Sequence, residues 1–419
     1  MKVGIVGAGP AGLMAAIAAA RSGARVTVFE KNVLPGRKLL LTGNGRCNLT
    51  NRLPLAEYPD RYFGNGKFLI KALYAFGPED TERFFEEAGV RLIEEAGGRV
   101  FPASGRASDI LEALTERASR LGVRLIGTGS ALDIRRNRAG RVAKIITADG
   151  SHEIDACVLA TGGNAYPTTG SCGDGAVIAF RLGHVIVPPR PSLAPVDIFP
   201  EDLPKIPGVS LSGVRVSVTA DDKRLGKRTG DVLYTHYGLS GPAVLSLARY
   251  LPTDPTGYDG RVRIELDLWP DAAEENTGEC LMRLLSENRN VKVLQTLRAR
   301  FPVSVVEHLF ERAGVSPDVY GRDLKKEDRK ELLRTIRNLS YRVARPPLFS
   351  TAMVTAGGVS LREVDPKTMQ SRIVDGLFFA GEVLDIDGES GGFNLQAAFS
   401  TGFLAGRSAA DSPKTTANY

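Results

Sequence analysis

Apolar residues in the first thirty positions form two short blocks flanking a helical stretch. KVGIV at 2–6 is an apolar run with β-branched members, suited to a buried parallel strand. An alanine-rich helical run continues through Ala20, and ARVTVFE from Ala24 reads as a second strand ending on Glu30. Farther on, the periodicity predicts helices near 66–88 and 105–121, with VRLIEEAGGRVFP between them as a hairpin turning at Gly97–Gly98. A β-rich stretch follows, RLIGTGSALDI, RVAKIITADG and HEIDACVLATGG, the last a buried strand running into Thr161, Gly162 and Gly163.

From about Pro188 the pattern changes. PPRPSLAPVD is proline-rich, and VSLSGVRVSVTA and RVRIELDL read as short strands without long helices between them, which suggests a small β-barrel or sandwich. Residues 271–338 then read as helical, and α/β texture returns at 351. There GLFFAGE is a strand delivering Gly381 and Glu382 to a sheet end, and GESGGFNLQAAFSTGFLAG passes from a glycine-rich loop into a helix. The predicted class is α/β, with a nucleotide-binding fold begun at residue 1, finished near the C-terminus and interrupted between.

The turn after the first strand carries chemistry. GAGPAG places Gly7, Gly9 and Gly12 in the G-x-G-x-x-G spacing of a dinucleotide site. Gly7 allows the tight turn, Gly9 lets backbone approach a pyrophosphate, and Gly12 lets helix and strand pack closely. The helix start offers N–H groups and a positive dipole end to phosphate. Glu30, 18 positions after Gly12, stands where an acid accepts a ribose hydroxyl. At the other end, the helix start carrying Gly391, Gly392, Phe393 and Asn394 can hold the negative charge of a reduced flavin ring.

Composition narrows the classes. With 43% hydrophobic and 24% charged residues the chain is expected to fold, and its 419 residues suit two or three domains. AGLMAAIAAA, the longest apolar run, is too short to span a bilayer, and no signal-peptide pattern is seen. Cys47, Cys157, Cys172 and Cys280 form no C-x-x-C, so a redox dithiol is not expected and a reducing cytoplasm fits. The four histidines lack metal-ligand spacing, and no metal is expected. The net charge of +6 favours anionic partners such as nucleic acid, although basic surfaces also arise without one.

Together, GAGPAGLMAA, GRKLLLTGNGRCNLTN, ATGGNAYPTTGSCGDG, YTHYGLSGPAVL, TAGGVSL and GLFFAGEVLDIDGESGGFNLQAAFSTG resemble the bacterial BaiN-like, or aminoacetone oxidase-like, flavoproteins over nearly the whole chain. The resemblance implies a Rossmann-type FAD-binding domain at 1–190 and 345–419. It further implies a β-barrel insert at 191–269 and 320–344, itself carrying a helical insert at 270–319. The FAD-contacting set it implies runs Gly7, Gly9, Ala11, Gly12, Glu30, Lys31, Arg37, Lys38, Asn44, Gly45, Cys47 and Asn48 in the first half. Ala131, Thr161, Gly162, Gly163, Gly381, Glu382, Asp385, Gly392, Phe393, Asn394 and Leu395 complete it. Within 36–51, small residues permit close approach to the ring and amides bond its edge.

Activities attributed across that family differ: reduction of an enone in bile-acid intermediates, oxidation of aminoacetone, and reduction of a uridine in ribosomal RNA. Fold is therefore better determined than substrate. The leading expectation is an NAD(P)H-dependent reductase of an activated C=C bond, with hydride from the reduced flavin and a proton from a nearby acid. Cys47 and His236 are the candidate acids, with Tyr166 less favoured. Each has a plain alternative: Cys47 packing on the ring, Tyr166 shaping its loop, His236 serving the structure. Gly241–Pro242 reads as a helix start with Ser240 beside it, either a substrate anchor or simple helix initiation. No second dinucleotide motif is seen, since GTGSAL at 127–132 ends in leucine, so either NAD(P)H docks transiently beside the flavin or the reductant is something else. An oxidase of a small amine using dioxygen is the enzymatic rival. The substrate is a small molecule or ribosomal RNA.

Overall fold

The computed structural model describes residues 1–270 and 276–412. They form two compact units, one from residues 1–191 with the chain from 349 onward, the other from Ser192–Leu348.

The first unit is built on a five-stranded parallel sheet. Its order is Leu377–Phe379, Ala156–Leu159, Lys2–Val6, Arg25–Phe29 and Arg124–Ile126. The central strands are buried on both faces, as their continuous apolar runs require. The glycine-loop helix Pro10–Arg21 meets the last helix, Phe393–Ala410, at positions without side chains. A Cβ at Gly402 would collide with the carbonyl of Ala11, and one at Gly406 with the carbonyl of Ala15. The expected helical stretch near 66–88 is two helices, Gly66–Ala75 and Pro78–Glu87. Gly77 caps the second, with Pro78 at its first position and Asp80 bonding back to the Gly77 N–H. The hairpin at Gly97–Gly98 joins strands Leu92–Glu95 and Arg99–Pro102.

The second unit holds a six-stranded antiparallel sheet. Its order is Val196–Asp197, Gly238–Ser240, Lys223–Tyr234, Ser210–Ala220, Val262–Asp267 and Leu339–Arg342. Its two edges meet: Ile198 pairs with Val343, Phe199 N donates to Arg342 O (3.1 Å) and Ala344 N to Asp197 O (2.9 Å). Closure turns the sheet into a barrel. Val214, Val216, Val218, Val262, Ile264, Leu266 and Tyr341 alternate inward along three strands.

The strands are longer than the short ones the sequence suggests. Ser210–Ala220 has 11 residues and Lys223–Tyr234 has 12, joined through left-handed Asp221 and Asp222. KRLGKRTGDVLY lacks alternation because the helix Pro242–Leu247 covers it. A Cβ at Gly226 would press on Leu247 and Tyr250, and one at Gly230 would touch Ala243. Helices Thr277–Glu287, Val293–Leu297, Val303–Ala313 and Lys326–Arg337 occupy the predicted helical region. Among the described residues no helix is long and apolar enough to cross a membrane.

Candidate functional site

The three glycines of the first turn answer to different neighbours. Gly7 has φ +99° and donates its N–H to Phe29 O (2.8 Å). A Cβ on Gly12 would collide with the carbonyl of Gly7. The chain's own backbone explains both. Gly9 differs: its φ of −82° suits any residue, and a Cβ there would meet nothing within 4 Å. Open space thus lies directly at the start of the helix, where unpaired N–H groups and a positive dipole end suit a pyrophosphate. The site fits FAD on that observation.

Glu30 is held in place rather than free. It is 8% exposed, its Oε2 accepts the Ala8 N–H (2.8 Å), and its Oε1 accepts Asn32 N and Nδ2 (both 2.8 Å). Lys31 pairs with Asp174, and exposed Arg37 donates to Asn32 Oδ1 (3.2 Å).

The GRKLLLTGNGRCNLTN run folds as a tight left-handed loop. Gly43, Asn44, Gly45 and Cys47 all have positive φ, and Thr42 O accepts the N–H groups of Gly45 (3.1 Å) and Cys47 (2.9 Å). Asparagine tolerates that region, whereas cysteine there is strained, a condition that gathers at functional loops. The Cys47 side chain is fully buried, and burial pushes its thiol up to about 12 against a smaller opposing hydrogen bond from Thr42. Such a thiol keeps its proton at neutral pH.

Four distant segments converge beside this loop. Lys38 Nζ bonds both carboxylate oxygens of Glu382 (3.0 and 2.8 Å), and Glu382 Oε1 accepts the Thr355 N–H (2.9 Å). A Cβ on Gly163 would meet both Thr355 and Glu382, while the Thr355 hydroxyl accepts the N–H groups of Asn164 (2.7 Å) and Ala165 (3.0 Å). Thr161 is packed so closely by the following helix that a Cβ on Gly175 would strike its hydroxyl, and Gly162 is left-handed. Gly381 lies against Ala11, 2.7 Å from a built Cβ to the alanine's, and donates its N–H to Thr401 Oγ1 (2.9 Å). Asp385 accepts from Gly357 N (3.1 Å) and Asn65 Nδ2 (3.3 Å).

The last helix begins at this meeting point. With its amide turned to satisfy its neighbours, Asn48 donates to Val100 O and Thr50 O and accepts the Gly392 N–H (3.1 Å). Asn394 clamps the loop before its own helix through Gly388 N (2.8 Å) and Gly388 O (2.9 Å), and Tyr62 OH donates to Phe393 O (2.9 Å). Backbone N–H groups of Phe393, Asn394 and Leu395 occupy the first turn, where no helical carbonyl precedes them.

Sequence reasoning missed the network beneath. Gln396, wholly buried, accepts from Thr50 (2.6 Å) and Thr81 (2.9 Å) and donates to Ser400 Oγ (3.0 Å) and Phe76 O (3.2 Å). It locks the helix start to the strand leaving the left-handed loop. The available signal was a glutamine on the same helical face as Phe393 and Ser400, flanked by apolar residues.

The remaining expected site residues sit on other elements. Ala131 opens the strand Ala131–Arg136 of a separate three-stranded sheet. Tyr166 is left-handed (φ 53°) and donates its N–H to Phe349 O (2.9 Å). His236 belongs to the second unit, exposed on the turn between Lys223–Tyr234 and Gly238–Ser240. Ser240 and Gly241 precede the six-residue helix Pro242–Leu247.

Comparison with known proteins agrees with this construction. The family described as HI0933-like protein Rossmann domain matches residues 1–408. The chain is 33% identical over 417 residues to the 3-dehydro-bile acid delta(4,6)-reductase of Clostridium scindens, covering 98% of this chain and all of that one. It is 31% identical over 407 residues to the ribosomal RNA dihydrouridine synthase of Escherichia coli, covering 95% of each. Among solved structures, a flavocytochrome c3 fumarate reductase matches with TM-score 0.51 at 18% identity, covering 98% of this chain and 78% of that one. The 3-ketosteroid delta1-dehydrogenase of Sterolibacterium denitrificans also gives 0.51, at 14% identity over 98% and 99%. These structural likenesses concern the fold alone.

Proposed function

The chain belongs to the HI0933-like family and is a flavin-dependent oxidoreductase with a Rossmann-type FAD-binding domain, and we propose that it reduces a carbon–carbon double bond conjugated to a carbonyl, using NAD(P)H. The two curated relatives carry the reading. An unsaturated 3-oxo steroid and a uracil ring share one electronic feature, an alkene polarised by a neighbouring carbonyl, and both relatives' names describe its reduction. Of the two substrates we favour the uridine of an RNA, because the chain carries an excess of positive charge.

In this reading Gly7, Gly9, Ala11 and Gly12 take the pyrophosphate on the helix start, and Glu30 takes a ribose hydroxyl. Gly381 and Glu382, the latter held by Lys38 and Thr355, border the ribityl chain together with Thr161, Gly162 and Gly163. Asn44, Gly45, Cys47 and Asn48 line one side of the ring, and the first-turn N–H groups of Phe393, Asn394 and Leu395 stabilise charge at its pyrimidine edge. Bound FAD supplies a hydride from N5 of its reduced form. Of the two proposed acids, Cys47 is buried, which holds its thiol proton and suits a packing role, and His236 is an exposed residue of the second unit. The second unit serves as an insert, with its barrel and helices as separate parts. We place the enzyme in the cytoplasm, beside a reduced nicotinamide pool.

The test is anaerobic. NAD(P)H should bleach the yellow holoenzyme, and a conjugated enone or a uridine-containing RNA should restore the colour with saturation of the alkene. Peroxide formed from a small amine and dioxygen, with no bleaching by NAD(P)H, would refute the reductase.

A further inference from the structure

Residues 271–342 hold 14 of the chain's 54 Lys and Arg and 12 of its 48 Asp and Glu. Within this helical segment two loops are stitched side by side. Lys292 pairs with Tyr320, Gly321 N donates to Val291 O (3.0 Å), and Arg322 N donates to Arg289 O (2.9 Å). The stitch presents an aromatic ring among cations. Tyr320 is 39% exposed, and the Arg322 guanidinium lies 5.4 Å from its ring centre, steadied by Asn290 Oδ1 (3.1 Å). Arg289 and Asn290 are exposed beside it.

The chain then enters the helix Lys326–Arg337. Lys326, Lys330 and Arg334 recur every fourth residue and are all exposed, so they form one ridge with steps of about 6 Å. Arg334 is engaged by Glu331, whereas Arg289, Lys326 and Lys330 make no ion pair among the described residues. Like charges at this spacing repel along a helix and give the isolated fold nothing. Carboxylates offset part of the surface: Glu331 on Arg334, Asp318 on Lys292 (2.7 Å) and Asp323 on Arg322 (3.5 Å), with Glu327 exposed on the same helix. All three are exposed pairs, which solvent screens and a phosphate can displace.

We infer that this surface binds single-stranded RNA, a base stacking on the Tyr320–Arg322 platform while neighbouring phosphates lie along Arg289, Lys326 and Lys330. The inference rests on the reading of the substrate as an RNA uridine. An aromatic face beside an arginine plane is what an unpaired base stacks on, and a cationic ridge tracks a backbone without reading sequence. An anionic membrane would instead favour large apolar side chains along the ridge, and Lys326, Lys330 and Arg334 leave none there.

Fluorescence anisotropy of a labelled oligouridine with the FAD-loaded enzyme tests this. Binding should weaken steeply as salt rises. Tyr320→Ala should weaken it roughly tenfold and Tyr320→Phe should leave it near wild type, since stacking needs the ring and not the hydroxyl. The Lys326→Glu/Lys330→Glu double variant should weaken binding more than tenfold and lower the salt slope by about two. Bound flavin and circular dichroism confirm folding in each. Unchanged affinity in both Tyr320→Ala and the double variant overturns the assignment, as does wild-type enzyme that binds phosphatidylglycerol vesicles but no oligouridine. NAD(P)H oxidation with a small enone, run on the same samples, separates the two failures: activity there without RNA binding removes this surface and leaves the reductase standing.

Discussion

The helix crossing of the first unit is packed where side chains are missing, and the barrel interior of the second is packed around side chains that are large and polar. In the first, a Cβ at Gly12, Gly402 or Gly406 would collide with the carbonyl of Gly7, Ala11 or Ala15. In the second, the barrel interior carries Tyr234, Tyr341 and, from the helix Val303–Ala313, His308. Their polar atoms form a chain, Tyr234 OH to Tyr341 OH at 3.2 Å and Tyr341 OH to His308 Nε2 at 3.0 Å. Backbone-to-backbone contact tolerates no added atom, because a carbonyl cannot step aside without moving its helix. A buried hydrogen-bonded chain can lose a member and keep its shape, at the expense of the groups left unpaired. The helix crossing should therefore respond to change in an all-or-none way and the barrel interior by degrees.

The largest expected effect is at the helix crossing. Gly402→Val drives two methyl groups into the Ala11 backbone and should lower stability by about 3 kcal/mol or more. Because Ala11 sits on the glycine-loop helix, bound FAD should disappear from the purified protein, read by absorbance against protein concentration. Full retention of flavin would break the contrast between the units. Gly9→Ala should do the reverse: denaturation of the apo-protein unchanged within about 0.5 kcal/mol, as for a neutral surface change, but FAD dissociation roughly tenfold easier, equivalent to about 1.4 kcal/mol. Tyr341→Phe is the mildest. It strands the Tyr234 hydroxyl and His308 Nε2, and should cost about 1 kcal/mol in urea denaturation while the flavin content stays at wild type.

Much of the first unit is legible in the sequence because its constraints are local. The glycine spacing, the flanking strands and Glu30 lie within thirty residues, and periodicity reports the helices around 66–120 and 277–337. What escapes is whatever depends on a distant partner. Nothing near Lys38 announces that its ammonium meets Glu382, 344 residues away. Gln396 looks like an ordinary polar residue in a helix until Thr50 and Thr81 are brought to it. The strand Lys223–Tyr234 hides because Gly226 and Gly230 make room for a helix that follows it, so its inward face carries no apolar signal. Closure of the barrel through Ile198 and Val343 is likewise a meeting of remote segments.

The crossing of Pro10–Arg21 with Phe393–Ala410 also bears on how the protein is made. The glycine loop leaves the ribosome well before the helix that closes over it, which follows almost four hundred residues later, a wait on the order of tens of seconds. The intervening 157-residue unit can organise meanwhile from contiguous sequence. Flavin capture must therefore await that last helix, and until then the exposed alanine face of the first helix is a surface for chaperones to guard.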